Sequence, residues 1–183
     1  NKDREVQQLQ AGDSADLTQL RRASRRRVSQ IEPVSPLNPN RPANRGALVI
    51  VGGGPMPDDV AGRFVELAGS EDANIVVLPT AVAREEAAQQ PPGFLKNAKV
   101  ESVTVLNQRG ADEVVKDEFI SALKSATGIW FGGGRQGNFV DAYEGTEAVE
   151  LFRDVLRRGG VIGGSSAGAT IQGEFLVRGH PLG

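Results

Sequence analysis

The stretch Gly160-Val161-Ile162-Gly163-Gly164-Ser165-Ser166-Ala167-Gly168 sets the expected fold. A short apolar run leads into a glycine-flanked serine turn, and Ala169-Thr170-Ile171-Gln172 continues as helix-compatible sequence. A strand that turns sharply into a helix at a serine has the geometry of a nucleophile elbow. Small neighbours suit this geometry because the turn is strained and a substrate carbonyl must approach the backbone closely.

Ser166 is the candidate nucleophile of this turn, and the amide of Ala167 is a candidate donor to an oxyanion. The helix that starts here would aim free amides and the positive end of its dipole at an oxygen that develops charge. An ordinary strand-to-helix turn, in which Ser165 or Ser166 caps the helix, fits the same spacing. Local sequence therefore leaves both interpretations open.

Short apolar runs elsewhere predict the other strands. Ala47–Val51 is continuously apolar and rich in β-branched residues, which favours a strand buried on both faces. Residues 74–78 and 128–131 have the same character, whereas residues 100–106 alternate enough to lie towards an edge. The helices predicted between the strands cover residues 58–67, 114–126 and 138–158.

The alternation of strands and helices predicts an α/β fold, with right-handed crossovers and a parallel sheet covered by helices on both faces. The strand before the serine turn, Val161–Ile162, comes last, and as a last strand it would leave its side of the sheet unpaired and exposed. Gly-rich segments follow three strands, at residues 52–54, 132–134 and 163–168. Because parallel strands end at one rim, we expect these segments to lie together.

The first 46 residues differ in composition from the rest. They hold nine Lys or Arg against five Asp or Glu, carry prolines from Pro33 to Pro42, and have too few apolar residues for a core of their own. We predict an extension or linker over residues 1–46, in which Arg25–Arg27 is either a basic contact patch or a solvated run. Residues 47–183 then form the α/β domain.

Composition excludes several kinds of site. The chain has no cysteine and one histidine, His180, which excludes disulfides, thiolate metal sites and a His-rich metal site. A net charge of -2 does not favour nucleic acid, and no apolar run approaches the roughly 20 residues of a membrane span. Gly52–Gly54 is followed by prolines and lacks the G-x-G-x-x-G spacing of dinucleotide-binding loops. We therefore expect no cofactor, no metal, no nucleic acid and no membrane partner.

The glycine cluster Gly132–Gly134 stands one crossover before the serine turn. Its amides could supply a second oxyanion donor. Arg135 could attract a carboxylate, and Gln136 could hydrogen-bond a substrate backbone. A plain turn with an exposed arginine and a helix-starting glutamine is the alternative interpretation.

Two motifs in order resemble the cyanophycinase and dipeptidase E family of serine peptidases. They are Trp130-Phe131-Gly132-Gly133-Gly134-Arg135-Gln136 and, one crossover later, Gly164-Ser165-Ser166-Ala167-Gly168-Ala169. Leu78-Pro79-Thr80-Ala81 also resembles that family's second strand and the loop after it, and the similarity covers about residues 46–179. The resemblance implies a three-layer, flavodoxin-like fold related to class I glutamine amidotransferase domains, with a serine in place of their cysteine.

The resemblance also implies amide hydrolysis next to an aspartyl residue. Cyanophycinases cut β-aspartyl-arginine units of the polymer cyanophycin, and their relatives cut N-terminal Asp dipeptides. Carried over by position, Ser166 would be the nucleophile, Ala167 and one of Gly133 or Gly134 would form the oxyanion hole, and Gln136 would bind substrate. Arg135 stands where cyanophycinases usually carry an acidic residue. It would repel the guanidinium of the polymer and suit a carboxylate, so an Asp-containing peptide is the preferred substrate.

A serine nucleophile needs an adjacent base, which in this family is a histidine well beyond the serine. His180 follows Ser166 closely, at the far end of a helix that points away from the turn, and is interpreted as a surface histidine. We therefore expect this chain to be the N-terminal portion of a longer domain. The expected partners are a peptide substrate and a C-terminal segment or second polypeptide that supplies the base, with a homodimer left open.

Two other functions stay open. A non-catalytic domain of the same fold could bind a peptide or an acidic ligand through Arg135, Gln136 and the start of the helix. Alternatively, the arginine-rich extension could be the functional part of an interaction module.

Overall fold

The computed structural model describes residues 46–173 and residue 176. Five strands form one sheet in the order β1-β5-β4-β2-β3. Each neighbouring pair is parallel, so the carboxyl ends of these strands share one rim, as the sequence predicts. The strands are β1 Ala47–Val51, β2 Asn74–Leu78, β3 Ser102–Val105, β4 Gly128–Phe131 and β5 Val161–Ser165.

Helices pack on both faces of this sheet, which confirms the predicted three-layer α/β fold. Within the described ranges, no helix has the length and apolar character needed to cross a membrane. The helices of this part are α1 Asp58–Ala68, α2 Gly93–Lys96, α3 Ala111–Val114, α4 Asp117–Ser125, α5 Gln136–Tyr143, α6 Ala148–Arg157 and α7 Ala167–Thr170.

Some of the sequence predictions lie outside the described residues. They concern the extension up to residue 45, its Arg25–Arg27 cluster and the role of His180.

The strand bounds predicted at residues 47–51, 74–78 and 128–131 are confirmed, because a Gly or Pro directly follows each apolar run. The third strand is shorter than predicted, and its position at an edge of the sheet is confirmed. The fifth strand is longer and reaches Ser165. The serine turn therefore begins directly at the rim of the sheet.

Two of the predicted helices differ from the structure. The helix predicted over residues 114–126 begins only at Asp117, because the separate short helix α3 ends at Val114 and leaves Val115 50% exposed between the two. The helix predicted over residues 138–158 is broken into α5 and α6 at Gly145, whose φ of 71° does not occur inside a right-handed helix. α5 begins at Gln136, earlier than predicted, immediately after the glycine loop.

The strand that carries the serine turn is not at the edge of the sheet, contrary to the prediction. β5 lies between β1 and β4, and β1 forms the edge. Leu48 and Ile50 of β1 are 47% and 62% exposed, so the prediction that this strand is buried on both faces is also wrong. The physical reason is that α6 packs mainly over β4 and β5 and leaves one face of β1 largely uncovered.

Each face of the sheet has its own apolar cluster, and β4 contributes to both. On the side of α1, the Trp130 ring lies edge-on to Phe64 and Phe94, with ring centroids 5.1 and 4.8 Å apart. On the opposite side, the rings of Phe131 and Phe152 are perpendicular at 5.1 Å. The alternation of side chains along β4 thus fixes both layers of helices relative to one strand.

A buried polar contact joins α5 to the loop after β2. The Thr80 hydroxyl and the Tyr143 phenol lie 2.7 Å apart, and both residues are buried. Burial raises the pKa of Tyr143 to about 12, although its hydrogen bond with Thr80 acts in the opposite direction. The contact holds the loop that contains Ala81 against the helix that follows the glycine cluster.

Replacing Gly163 with alanine is expected to destabilise the fold. The added Cβ would lie 2.6 Å from the Trp130 ring and 2.8 Å from the Phe64 ring, and each of these rings also packs on Phe94. We expect the free energy of unfolding in urea to fall by about 1–3 kcal/mol. Gly62→Ala is the control, because this exposed position in α1 has no atom within 4 Å of the added Cβ, and it should raise stability by up to about 1 kcal/mol. Equal losses in the two variants would contradict the packing.

The single tyrosine gives a direct test of the buried phenol. In a rapid pH jump, the ultraviolet absorbance of its phenolate should show a native midpoint near 12, against about 10 in denaturant. Because the folded pKa is raised, the native state keeps its proton longer. The stability contributed by this group is therefore complete below about pH 10 and is lost as pH rises towards 12. Tyr143→Phe should remove both the signal and this pH dependence, and a native midpoint near 10 would refute the buried contact.

Candidate functional site

Ser166 occupies an uncommon backbone conformation between β5 and α7, with φ 51° and ψ -112°. Its amide donates to the Val51 carbonyl oxygen at 2.9 Å, and its own carbonyl oxygen accepts from the amides of Ala169 and Thr170 at 3.0 Å. A positive φ is costly for a residue with a side chain and persists only where the surroundings enforce it. Hydrogen bonds on both sides of Ser166 supply that enforcement.

The side chain of Ser166 is exposed, and its hydroxyl forms no hydrogen bond with the residues that the structure describes. Ser166 stands at the N-cap position of α7, but it makes no side-chain capping bond. The alternative in which Ser166 caps the helix through its hydroxyl therefore has no hydrogen bond to support it. The hydroxyl is presented to solvent at the rim of the sheet.

Two glycines explain how α7 comes so close to the sheet. A Cβ on Gly164 would collide with the Gly168 carbonyl, and a Cβ on Gly168 would collide with the Phe131 carbonyl. The helix therefore packs backbone to backbone against the ends of β5 and β4. Only glycine at both positions allows the turn at Ser166 to be this tight.

The loop Gly132–Gly134 lies beside the serine turn because β4 pairs with β5. Its start is fixed to the end of β2, where the Gly132 amide donates to the Leu78 carbonyl at 3.0 Å, and the Arg135 amide donates to the Ala81 carbonyl of the loop after β2 at 2.8 Å. A Cβ on Gly133 would lie 3.5 Å from the Ser166 Cβ. The glycine loop therefore lies next to the serine turn, as the sequence predicts.

The backbone amides of Gly133, Gly134 and Ala167 donate to no acceptor within residues 46–173. Gly133 is the loop residue in contact with Ser166, whereas the Cα of Gly134 faces Ala81. Amides without protein partners next to an exposed hydroxyl can receive an oxygen atom of a ligand.

A cavity of about 600 Å³ borders the same loop at Gly134 and Arg135. Arg135 lines it as an exposed residue, and Gln136, half-buried, begins α5 immediately beside it. Its lining residues are Ala81, Val82, Ala83, Glu86, Arg109, Gly134, Arg135, Asn138, Asp141 and Ala142. Of the two side chains predicted to contact substrate, Arg135 therefore lines this cavity and Gln136 directly follows it in the chain.

Two polar residues of the cavity were not singled out from the sequence. Arg109 follows β3, and Asn138 lies in the first turn of α5, where its amide nitrogen donates to the Ala81 carbonyl at 2.8 Å. The polar run Asn107-Gln108-Arg109 at the carboxyl end of a parallel strand is the signal that could have identified Arg109. In the described part of the chain, no three His, Asp or Glu residues come together as metal ligands.

Ser166→Gly should relieve the backbone strain of the turn. Glycine adopts positive φ without the cost that a side chain imposes, so we expect the free energy of unfolding to rise by about 1 kcal/mol. Ser121→Gly, in the interior of α4, should instead lower it by a similar amount. Thermal denaturation of both variants measures the difference, and destabilisation by both would show that the turn is unstrained.

Comparisons with known proteins point to one family. The model of peptidase family S51 matches residues 48–179. A cyanophycinase from Synechococcus elongatus is 27% identical over a 155-residue alignment that covers 81% of this chain and 48% of that protein. A cyanophycinase from Geminocystis herdmanii (strain PCC 6308) is 26% identical over a 147-residue alignment that covers 76% of this chain and 53% of that protein. The chain spans about half the length of these curated relatives.

Solved structures agree on the fold. A peptidase from an acI-B1 Actinobacterium superposes with a TM-score of 0.61 at 23% identity, covering 72% of this chain and 58% of that one. A putative peptidase E from Listeria monocytogenes EGD-e gives 0.54 at 22% identity, covering 70% and 62%. The family match includes residues of every strand of the sheet and the serine turn. This chain therefore belongs to peptidase family S51.

Proposed function

We propose that this chain carries the nucleophile of a serine peptidase that hydrolyses an amide bond next to an aspartyl residue. One observation carries the proposal. The exposed hydroxyl of Ser166, at a strained strand-to-helix turn, adjoins amides of Ala167 and Gly133 that have no acceptor in the described residues. A hydroxyl beside free amide donors is what acyl transfer needs, because the donors stabilise the charge that develops when the hydroxyl attacks.

In the proposed reaction, the Ser166 oxygen attacks the amide carbonyl carbon while a base takes the hydroxyl proton. The resulting oxyanion accepts hydrogen bonds from the amides of Ala167 and Gly133, with Gly134 as the second candidate from the same loop. Collapse of the tetrahedral adduct breaks the C–N bond, and the proton passes to the leaving amine. Water then attacks the acyl-enzyme ester, which releases the acid product and restores the serine.

The base of this reaction is proposed to be a histidine supplied from outside the described residues. The Ser166 hydroxyl has no hydrogen-bonded base within them, and serine at its ordinary pKa is a poor nucleophile. A C-terminal segment or a second polypeptide that completes the domain is the proposed source. Such a base must approach from the open, solvent-facing side of the turn.

The substrate preference is proposed from Arg135 and Gln136. Arg135 carries an exposed positive charge at the cavity edge, which suits a carboxylate and opposes the guanidinium of a cyanophycin side chain. Gln136, at the first position of α5, is proposed to bind the substrate backbone. Relatives of this chain include proteins named cyanophycinase and a putative peptidase E, which supports the peptide class of substrate. An Asp-containing peptide is preferred over the polymer.

Ser166→Ala should abolish hydrolysis of aspartyl dipeptides, with a loss of about 10³-fold or more, while the circular dichroism spectrum stays unchanged. Ser165→Ala is the matched control, because its side chain also lies at the turn but its position belongs to β5, and it should retain activity. The assay uses the chain together with any polypeptide that co-purifies with it.

Equal activity in the Ser166→Ala variant and the parent protein would refute the proposal. Dipeptide binding without turnover, in a preparation that contains a histidine-bearing partner, would favour the non-catalytic binding domain instead.

A further inference from the structure

The backbone carbonyl of Ala81, in the loop after β2, accepts two hydrogen bonds from the segment that follows the glycine loop. The Arg135 amide donates to it at 2.8 Å, and the side-chain nitrogen of Asn138 donates to it at 2.8 Å. Together these bonds use both lone pairs of the carbonyl oxygen. The Ala81 carbonyl therefore joins the end of the glycine loop to the first turn of α5.

Gly134 packs directly on the same carbonyl. Its φ is 143°, and a Cβ at this position would lie 2.6 Å from the Ala81 oxygen and 2.8 Å from the Ala81 carbonyl carbon. The preceding residue, Gly133, is the one in contact with Ser166. A displacement of the Ala81 carbonyl would therefore be passed through Gly134 to the amides beside the serine.

Both ends of α5 hold the loop after β2. At the C-terminal end, the Tyr143 phenol lies 2.7 Å from the Thr80 hydroxyl, and both residues are buried in the core. At the N-terminal end, Asn138 is only half-buried and lines the cavity beside the loop. The Asn138 bond is therefore the contact that can be removed without opening the core.

The bond made by Asn138 is not required to satisfy the backbone. Without it, the Ala81 oxygen keeps the Arg135 amide, so no buried acceptor loses its last partner. Asparagine is a weaker helix former than alanine, and the Asn138 side chain donates to the loop after β2 rather than to a carbonyl of α5. We therefore expect an alanine at this position to leave the protein folded and to change mainly where the Ala81 carbonyl lies.

We propose that Asn138 is a positioning residue, which fixes the Ala81 carbonyl from α5 and thereby sets the place of the Gly133 and Gly134 amides relative to Ser166. Its effect on catalysis rests on the proposed peptidase function, whereas its effect on the loop does not require turnover. A misplacement of about 1 Å can cost about 10²-fold in rate, because a fixed donor stabilises charge only where the charge develops. Asn138 acts through the loop and takes no part in bond cleavage.

The kinetic test measures hydrolysis of an aspartyl dipeptide by Asn138→Ala in the full chain, together with any polypeptide that co-purifies with it. We expect kcat to fall by about 10- to 100-fold while KM stays nearly unchanged, since only stabilisation of the transition state is lost. Asn138→Leu, which has a similar volume but no donor, should behave in the same way.

Asn74→Ala is the matched control. The Asn74 side-chain nitrogen also donates to a backbone carbonyl, that of Asp72, but Asn74 begins β2 and lies at the opposite rim of the sheet. The control variant should keep both kcat and KM.

A second measurement needs no turnover. In ¹H–¹⁵N NMR spectra of the full chain, Asn138→Ala should shift the amide resonances of Gly133 and Gly134, because their distance from the serine turn changes. Asn74→Ala should leave these two resonances in place.

Unchanged kcat in Asn138→Ala, a rise in KM without a fall in kcat, or unmoved Gly133 and Gly134 resonances would each overturn the positioning role. The peptidase proposal fails separately. If the two resonances move but the parent chain and its co-purifying polypeptides hydrolyse nothing, Asn138 still positions the loop and the nucleophile role of Ser166 falls. If Ser166→Ala abolishes hydrolysis while Asn138→Ala keeps full kcat, the peptidase stands and the positioning role falls.

Discussion

The close contact of α7 with the ends of β4 and β5 is the constraint on which the rest of the site depends. Gly168 packs on the Phe131 carbonyl and Gly164 packs on Gly168, so neither position has room for a side chain. This contact leaves Ser166 as the only residue that connects strand to helix, and it forces that residue to a positive φ. The amide and the carbonyl oxygen of Ser166 are both hydrogen-bonded within the protein, whereas its hydroxyl is left exposed.

The interior position of β5 gives the turn two different neighbours. On one side β1 supplies the Val51 carbonyl that holds the Ser166 amide, and on the other side β4 brings the loop at Gly133. A turn at an edge strand would lack one of these contacts. Sheet order, rather than the motif alone, therefore assembles the groups around the serine.

The parts of the fold that sequence predicts well are those that depend on local composition. Three strands have the predicted bounds because each apolar run is followed by Gly or Pro. The helix break at Gly145 and the exposure of Ile50 depend on packing partners that are distant in sequence, so no local sequence pattern predicts them. The position of the glycine loop was predictable, because adjacent parallel strands end at one rim. The polar run that contains Arg109 indicates the same rim, but the cavity that Arg109 lines is formed by segments from other parts of the chain, which no local pattern predicts.

The carbonyl of Val51 has a consequence for how this site can evolve or be transferred. The last residue of β1 supports the serine, although more than a hundred residues separate the two in the chain. The turn is therefore not a self-contained loop that could be grafted onto another scaffold with its conformation intact. Its geometry is distributed over the ends of three strands, so a change in the length of β1 would release the serine from its strained state.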